Sequence, residues 1–213
     1  MATDLVEIDQ ENPQLEALER AVAALRRGRV VAIPSDALYT LVADPFNLRA
    51  VTQVFKAKGR QMHRSLPLLV KDTLMTEEFA GELNKRFYLL ARRFWPGPLT
   101  IIVPASAKVP LKVTGSTGRM ALRQSKSQVA DRLLGMLNQP LISTSANISG
   151  LPTCRSGIEV FGIMDGRVEL VLDGGVCVGQ GVGHLDTDPR DPLPVGLPPG
   201  LAPGLLTGQS ERR

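Results

Sequence analysis

The chain has 213 residues, 43% hydrophobic and 22% charged, which is typical of one globular domain with a sizeable core. Two cysteines and two histidines are too few for a disulfide framework and show no standard zinc-ligand spacing, so no metal site is predicted. No apolar run reaches membrane-spanning length and the N-terminus lacks a signal-peptide pattern, so we expect a soluble protein of the reducing cytoplasm without membrane partners.

The first half of the chain alternates between helix and strand patterns. Asn12-Pro13 is typical of a helix start, and apolar residues recur at helical spacing from there to Gly28. Residues 29–33 form a predicted buried strand that ends at a proline. Asn47 is predicted to cap a second helix, whose C-terminal end carries a basic cluster; the helix dipole alone favours cations there.

The second half continues this alternation and then changes character. Strands are predicted at 66–70, 99–103, 120–122, 140–142 and 168–172, and helices at 76–94 and 129–137. The alternation predicts an α/β fold with a twisted open sheet and flanking helices. We expect a domain over residues 1–178 and an irregular or disordered, Pro/Gly-rich tail over residues 179–213.

Four polar segments carry the candidate chemistry. Lys58-Gly59-Arg60 with Arg64 can bind phosphate, or can form a solvated basic loop. The segment 143–150, Ser-Thr-Ser-Ala-Asn-Ile-Ser-Gly, follows a strand end, where ligands of open α/β sheets bind. The segment 34–39, Pro-Ser-Asp-Ala-Leu-Tyr, is a plain turn or a small polar site. Arg119 and Arg123 flank a strand and would point to one side of it, as a second anion contact or as surface residues.

These segments, in this order and together with Phe-Trp-Pro-Gly-Pro-Leu-Thr at 94–100, resemble the YrdC/Sua5 family of threonylcarbamoyl-AMP synthases over about residues 13–175. The resemblance implies a twisted open mixed sheet with flanking helices, the YrdC/RibB-like (DHBP synthase-like) fold. It also implies synthesis of threonylcarbamoyl-AMP from L-threonine, bicarbonate and ATP, with release of pyrophosphate. The product would serve modification of adenosine 37 in tRNA, with contact to RNA and to downstream transferases as implied partners.

The resemblance also assigns roles to individual residues. Catalytic roles fall on Lys58, Arg60, Ser145 and Asn147. The nucleotide, with Mg²⁺ bound to ATP, would contact Lys58, Arg60, Arg64, Arg119, Ser145 and Thr153. L-threonine would contact Ser35, Arg123 and Ser143, and Asn147 would brace the pocket.

The chain departs from the family pattern at several positions. Glycine is usual where this chain has Thr40, and an apolar residue and proline usually follow the position of Arg123, where Gln124-Ser125 is expected to loosen the turn. Family members carry a Ser-Thr-Val-Val-Asp-like strand after the position of Gly175, and no such strand is predicted here. We therefore hold two hypotheses: a synthase, its activity lowered by this divergence, or a catalytically impaired relative that binds nucleotide or RNA in a salt-dependent manner.

Overall fold

The fold was analysed in a computed structural model, which describes residues 2–179 and 182–188. The strands are β1 (Asp4–Glu7), β2 (Val31–Ile33), β3 (Thr40–Ala43), β4 (Leu68–Leu69), β5 (Leu99–Pro104), β6 (Arg119–Arg123), β7 (Leu141–Ser145), β8 (Leu170–Asp173) and β9 (Gly183–Asp186). The helices are α1 (Leu15–Arg26), α2 (Leu48–Lys58), α3 (Thr73–Phe79), α4 (Lys85–Phe94), α5 (Leu111–Thr114), α6 (Gln128–Leu137) and α7 (Gly157–Met164).

These strands form one mixed sheet in the order β1-β8-β2-β3-β7-β4-β6-β5-β9. The pairs β1–β8, β2–β8, β4–β6 and β5–β9 are parallel, whereas β2–β3, β3–β7, β4–β7 and β5–β6 are antiparallel. The predicted class, an α/β fold with a mixed sheet and flanking helices, is confirmed. No helix in the described ranges is long and apolar enough to cross a membrane.

The sheet separates two hydrophobic cores because successive strand residues point to opposite faces. In β2, Val31 and Ile33 pack into the core that also contains the buried faces of α1 and α6. Ala32 belongs to the other core, which α2, α4 and α7 cover. Aliphatic side chains supply most of both cores, as the low aromatic content of the sequence requires.

Local sequence signals set some helix ends and not others. Asn47 caps α2 as predicted, since its Oδ1 accepts hydrogen bonds from the backbone N–H groups of Arg49 and Ala50. The first helix begins at Leu15 with Gln14 as its N-cap, so the predicted start at Asn12-Pro13 is wrong. The predicted helix 76–94 is two helices, because Asn84 caps α4 separately through the N–H of Phe87.

The largest correction concerns the C-terminal part of the described chain. Residues 183–186 form β9, which pairs in parallel with β5 so that His184 lies opposite Thr100 and Asp186 opposite Ile102. The predictions of an irregular segment from residue 179 and of a missing strand are therefore wrong at β9. Its order comes from pairing with a distant strand rather than from a local pattern. The rest of the predicted tail, residues 189–213, lies outside the described residues.

Candidate active site

An open cavity of about 530 Å³ lies across the middle strands of the sheet, a size typical of ligand pockets. The strands β3, β5, β6, β7 and β9 each contribute a polar residue to its wall, and the loops after β2 and α2 contribute the others. The polar residues used in the arguments below are Ser35, Thr40, Arg60, Thr100, Arg123, Ser143, Ser145 and His184. Elements that are distant in sequence thus bring the predicted residues Ser35, Arg60, Arg123, Ser143 and Ser145 to one cavity.

Lys58 lies behind this wall rather than in it. It is the last residue of α2 and only 3% exposed. Its Nζ donates to the carbonyl oxygens of Ser145 (2.5 Å) and Asn147 (3.0 Å) and to Oδ1 of Asn147 (2.9 Å). Oγ of Ser145 also lies 3.3 Å from Nζ, so the ammonium group is surrounded by four acceptors and fixes the end of β7 and the segment after it.

Gly59 explains how the neighbouring cation reaches the cavity. It ends α2 in the left-handed conformation with φ 58°, which glycine adopts without steric strain. The chain reverses there, so Lys58 points into the protein while Arg60 lines the cavity. The two cations of the Lys-x-Arg motif consequently have different environments.

Burial has a direct electrostatic effect on Lys58. Desolvation, followed by the nearby Arg60 cation, lowers its pKa from 10.5 to about 8. Between these two values the unfolded chain binds a proton that the folded chain has released. The contribution of Lys58 to stability therefore rises with pH across this window and is least favourable below pH 8.

This pH dependence can be measured by urea unfolding. The free energy of unfolding of the wild type, minus that of Lys58→Met at the same pH, is expected to increase from about pH 8 to pH 9.5. Both proteins carry Cys154→Ala, because the Lys58 charge shifts the pKa of the Cys154 thiol. Cys177 and Tyr39, whose pKa values burial raises, titrate in both proteins and cancel in the difference. A difference that stays constant across this window would contradict the lowered pKa.

Ser145 and Asn147 form a local hydrogen-bond unit with Lys58. Oγ of Ser145 donates to Oδ1 of Asn147 at 2.6 Å, and Nδ2 of Asn147 donates to the carbonyl oxygen of Leu151 at 2.6 Å. The backbone N–H of Ser149 also donates to the carbonyl oxygen of Lys58 at 2.8 Å. Ser145 lines the cavity while Asn147 is buried behind it, which agrees with the bracing role expected for Asn147.

Arg60 supplies one of the two arginines in the cavity wall. Its Nη2 donates to the carbonyl oxygen of Ser65 at 3.3 Å, a contact that leaves most of the guanidinium donors for a ligand. Burial, and then the cation of Arg64, lower its pKa from the usual high value. A partly desolvated guanidinium binds an anion more strongly than one in bulk water, because the local dielectric is lower.

Arg123 supplies the second arginine, at the end of β6, and is 9% exposed. Its Nε donates to the carbonyl oxygen of Gly97 at 2.9 Å, and its Nη2 pairs with Oδ1 of Asp36 at 2.5 Å. Because Arg60 and Arg123 both line the cavity, it presents two guanidinium groups to a ligand, and Asp36 balances the charge of one of them. Asp36 was not among the predicted site residues.

The hydroxyls of Ser35 and Ser143 differ in whether they can still form hydrogen bonds to a ligand. Oγ of Ser35 donates to the carbonyl oxygen of Leu38 at 2.6 Å and accepts from two backbone N–H groups, so it closes a turn. Oγ1 of Thr40 donates to the carbonyl oxygen of Thr144 at 2.9 Å and lies 2.8 Å from Oγ of Ser143. The proton between the two hydroxyls therefore comes from Ser143, whose lone pairs remain able to accept from a ligand.

Three predicted nucleotide contacts lie elsewhere. Arg64 and Thr153 are exposed and are not part of the cavity wall. Arg119 forms an ion pair with Asp186 of β9 and is also outside the wall, although it shares a strand face with Arg123, as the spacing predicted. This ion pair joins β6 to β9 across β5.

The sequence reasoning missed the contributions of Thr100 and His184, whereas Thr40 lies in the cavity wall at a position that it had singled out as a departure from the family pattern. His184 lies across from Thr100 in the β5–β9 ladder, and both line the cavity. Desolvation, together with the Arg123 cation, lowers the pKa of His184 below 6.5, which favours the neutral ring. Only the pairing of β9 with β5 brings this residue to the site, so no local sequence signal marks it.

Comparison with known proteins establishes the family. The family model Sua5_yciO_yrdC, described as telomere recombination, matches residues 23–183. This range ends at the first residue of β9 and contains the residues of the cavity wall other than His184. The chain belongs to the Sua5–YciO–YrdC family.

Curated members of the Sua5–YciO–YrdC family include proteins named threonylcarbamoyl-AMP synthase. The one from Pyrococcus abyssi is 36% identical over 155 residues, which are 73% of this chain and 46% of the relative. The one from Bacillus subtilis is 33% identical over 90% of this chain and 54% of its own length. The chain thus spans about half the length of these two relatives. The one from Coxiella burnetii is 33% identical, with 84% of this chain and 94% of the relative aligned.

Solved structures in the Sua5–YciO–YrdC family have the same fold. P. abyssi Sua5, solved in complex with L-threonine, is 31% identical with a TM-score of 0.82, over 86% of this chain and 54% of that one. Escherichia coli YciO is 23% identical with a TM-score of 0.78, over 86% and 90% of the two chains. The expected YrdC-like fold is therefore confirmed.

Proposed function

We propose that this chain is a threonylcarbamoyl-AMP synthase, which makes threonylcarbamoyl-AMP from L-threonine, bicarbonate and ATP and releases pyrophosphate. The observation that carries the proposal is the cavity in which Arg60 and Arg123 stand with Ser143 and Ser145. Such a cavity suits a reaction between ATP and an amino acid, because each arginine can bind one anionic group, a phosphate or a carboxylate. The product would serve the modification of adenosine 37 in tRNA.

The two arginines have different surroundings, and we assign them different substrates. Arg60 has little internal hydrogen bonding and would bind the ATP phosphates. Arg123 is held on two sides by the protein and would bind the carboxylate of L-threonine. Ser143, with its lone pairs free, would accept from the amino group of the same substrate. The L-threonine complex of a Sua5 relative supports an amino-acid site in this fold.

The proposed chemistry has two steps. The amine nitrogen of L-threonine forms a bond to the carbon of bicarbonate, and water leaves to give a carbamate. A carbamate oxygen then attacks the α-phosphorus of ATP, and the bond from that phosphorus to the bridging oxygen breaks as pyrophosphate leaves with the electron pair. Both steps depend on orientation and charge neutralisation more than on a protein nucleophile.

Lys58 has a supporting role in this proposal. Its four hydrogen bonds hold Ser145, at the end of β7, and Asn147, just after it, and its Nζ lies behind the cavity wall. We therefore propose that Arg60 binds the phosphates and that Lys58 positions Ser145. Arg64, Arg119 and Thr153 lie outside the wall, so we assign them no contact at the reacting atoms.

Mg²⁺ enters as part of the substrate, bound to the phosphates of ATP. The polar lining of the described cavity consists of hydroxyls, arginines and one histidine, whereas Mg²⁺ prefers carboxylate and phosphate oxygens. The phosphates of ATP supply these oxygens, and Mg²⁺ would neutralise part of their charge when it binds.

Pyrophosphate release tests the proposed function. The purified chain is expected to release pyrophosphate only when L-threonine, bicarbonate, ATP and Mg²⁺ are all present, and the omission of any one should reduce the rate to that of a no-enzyme blank. Release at the blank rate with all four would contradict the proposal. Salt-dependent binding of RNA or nucleotide without turnover would then favour the binding-protein hypothesis.

A further inference from the structure

We propose that Asp36 and Ser125 are positioning residues that fix the guanidinium of Arg123 for binding the substrate carboxylate. The proposal rests on the proposed function, since it concerns the same site. Neither residue is part of the cavity wall. Both act through Arg123, which does line the cavity. Asp36 lies in the loop after β2 and Ser125 lies just after β6, so the unit joins two distant segments.

The guanidinium of Arg123 is held from two directions. Its Nε donates to the carbonyl oxygen of Gly97 at 2.9 Å, and its Nη2 donates to Oδ1 of Asp36 at 2.5 Å. The side chains of Arg123 and Asp36 are 11% and 14% exposed, so water screens this ion pair weakly. Two fixed contacts on different nitrogens define the plane of the guanidinium as well as its position.

Ser125 secures the carboxylate that holds Arg123. Its Oγ donates to the same Oδ1 of Asp36 at 2.5 Å and accepts from the backbone N–H of Ser127 at 3.1 Å. Oγ of Ser127 in turn donates to the carbonyl oxygen of Pro34, at the start of the Asp36 loop. A proline at position 125, which the family resemblance leads one to expect, would have no hydroxyl to donate.

The turn after Arg123 is consequently not loosened by Gln124-Ser125, contrary to the expectation from sequence. The backbone N–H of Gly97 donates to the carbonyl oxygen of Gln124 at 2.9 Å, and this bond adds to those of Ser125. A side chain at position 97 would clash with the carbonyl oxygen of Phe94, so glycine is needed for this close approach. Hydrogen bonds thus supply the rigidity that a proline ring would otherwise give.

The arrangement leaves one part of Arg123 available to a ligand. Within residues 2–179 and 182–188, its hydrogen bonds involve Nε and Nη2 but not Nη1. A carboxylate binds an arginine best in a defined planar geometry, so an arginine that is already oriented loses less freedom on binding. Asp36 and Ser125 therefore lower the entropic penalty of binding L-threonine without touching it.

Steady-state kinetics of Asp36→Asn test this role. We expect the KM for L-threonine to rise about tenfold, the scale set by loss of one charge-assisted hydrogen bond, and the KM for ATP to stay within about twofold. Ser125→Ala should raise the KM for L-threonine about threefold, since Ser125 acts on Arg123 only through Asp36, which keeps its ion pair. Asp131→Asn, an exposed aspartate in α6, is the matched control and should leave both KM values unchanged.

A second readout is independent of turnover. The ¹⁵N-detected Nη2–H signal of Arg123, the donor to Asp36, is assigned by its absence in Arg123→Lys. It should exchange slowly with water in the wild type and faster in Asp36→Asn. Urea unfolding of each variant separates this effect from loss of stability. Equal KM changes for both substrates, an unchanged KM for L-threonine, or an unchanged Nη2–H exchange rate would overturn the positioning role. If the wild type releases no pyrophosphate, the proposed function fails, and the exchange rate alone decides the positioning role.

Discussion

The substitution Lys58→Met is expected to lower the free energy of unfolding by about 3 kcal/mol, because buried acceptors left without donors cost about 1–3 kcal/mol each. The carbonyl oxygens of Ser145 and Asn147 would lose the ammonium group, whereas the Oδ1 of Asn147 would keep the hydroxyl of Ser145 as a donor. Methionine fills nearly the same volume, so the loss reports hydrogen bonding rather than a cavity. Urea unfolding at pH 7 measures it, with a lower transition midpoint and an unchanged m-value.

Lys56→Met is the matched control for this prediction. Lys56 lies in the same last turn of α2 but is exposed, and an exposed lysine contributes within about 0.5 kcal/mol. Equal stability of the two variants would show that Lys58 does not fix the segment after β7.

The substitution Arg60→Ala is expected to lower kcat/KM for pyrophosphate release about 100-fold, as loss of one charge-stabilising donor does in other active sites. Arg60 lines the cavity, and within residues 2–179 and 182–188 its side chain makes one weak hydrogen bond, to Ser65, which leaves its charge for the phosphates. Because that internal contact is weak, the free energy of unfolding should change by less than about 1 kcal/mol. The two cations of the Lys-x-Arg motif are thus expected to differ: substitution of Lys58 lowers stability, whereas substitution of Arg60 lowers turnover.

Arg49→Ala controls for the loss of a positive charge. Arg49 is exposed at the start of α2, away from the cavity wall, and its removal should leave kcat/KM within about twofold. If Arg60→Ala and Arg49→Ala give the same rate as the wild type, Arg60 is not a phosphate-binding residue. If Arg60→Ala also unfolds the protein, its role is structural.

Local sequence signals predicted much of the framework of this site. The helix capped by Asn47, the strand that became β7 and the polar segment after it could all be predicted, because caps and apolar runs act within a few residues. The family resemblance indicated which of these segments lie close together in the fold. Five of the predicted site residues line the cavity, and five do not, and the roles of all of them stay predictions. Those in the wall are Ser35, Arg60, Arg123, Ser143 and Ser145, and those outside it are Lys58, Arg64, Arg119, Asn147 and Thr153.

The directions of individual side chains could not be predicted in the same way. Only one glycine separates Lys58 from Arg60 in sequence, yet Lys58 is buried behind the cavity wall and Arg60 lies in it. This difference follows from the left-handed conformation of Gly59 and from the acceptors that the segment after β7 offers. Both depend on tertiary packing, which no window of sequence contains.

Long-range pairing explains the remaining errors. The strand β9 has the sequence Gly-His-Leu-Asp, which shows no clear alternation, and it is ordered by its ladder to β5 and by the ion pair of Asp186 with Arg119. The Asp36–Ser125 unit likewise joins two loops that are distant in sequence. Such contacts cannot be predicted without the order of the strands in the sheet.

The central claim, adenylation of a carbamate of L-threonine, is tested most directly by the identity of the product. With ¹³C-bicarbonate, L-threonine and ATP, mass spectrometry should detect threonylcarbamoyl-AMP that carries the label at its carbamoyl carbon, together with pyrophosphate. Arg60→Ala should form far less of it over the same time. Pyrophosphate and AMP without a labelled adduct, or no product at all, would contradict the proposed function.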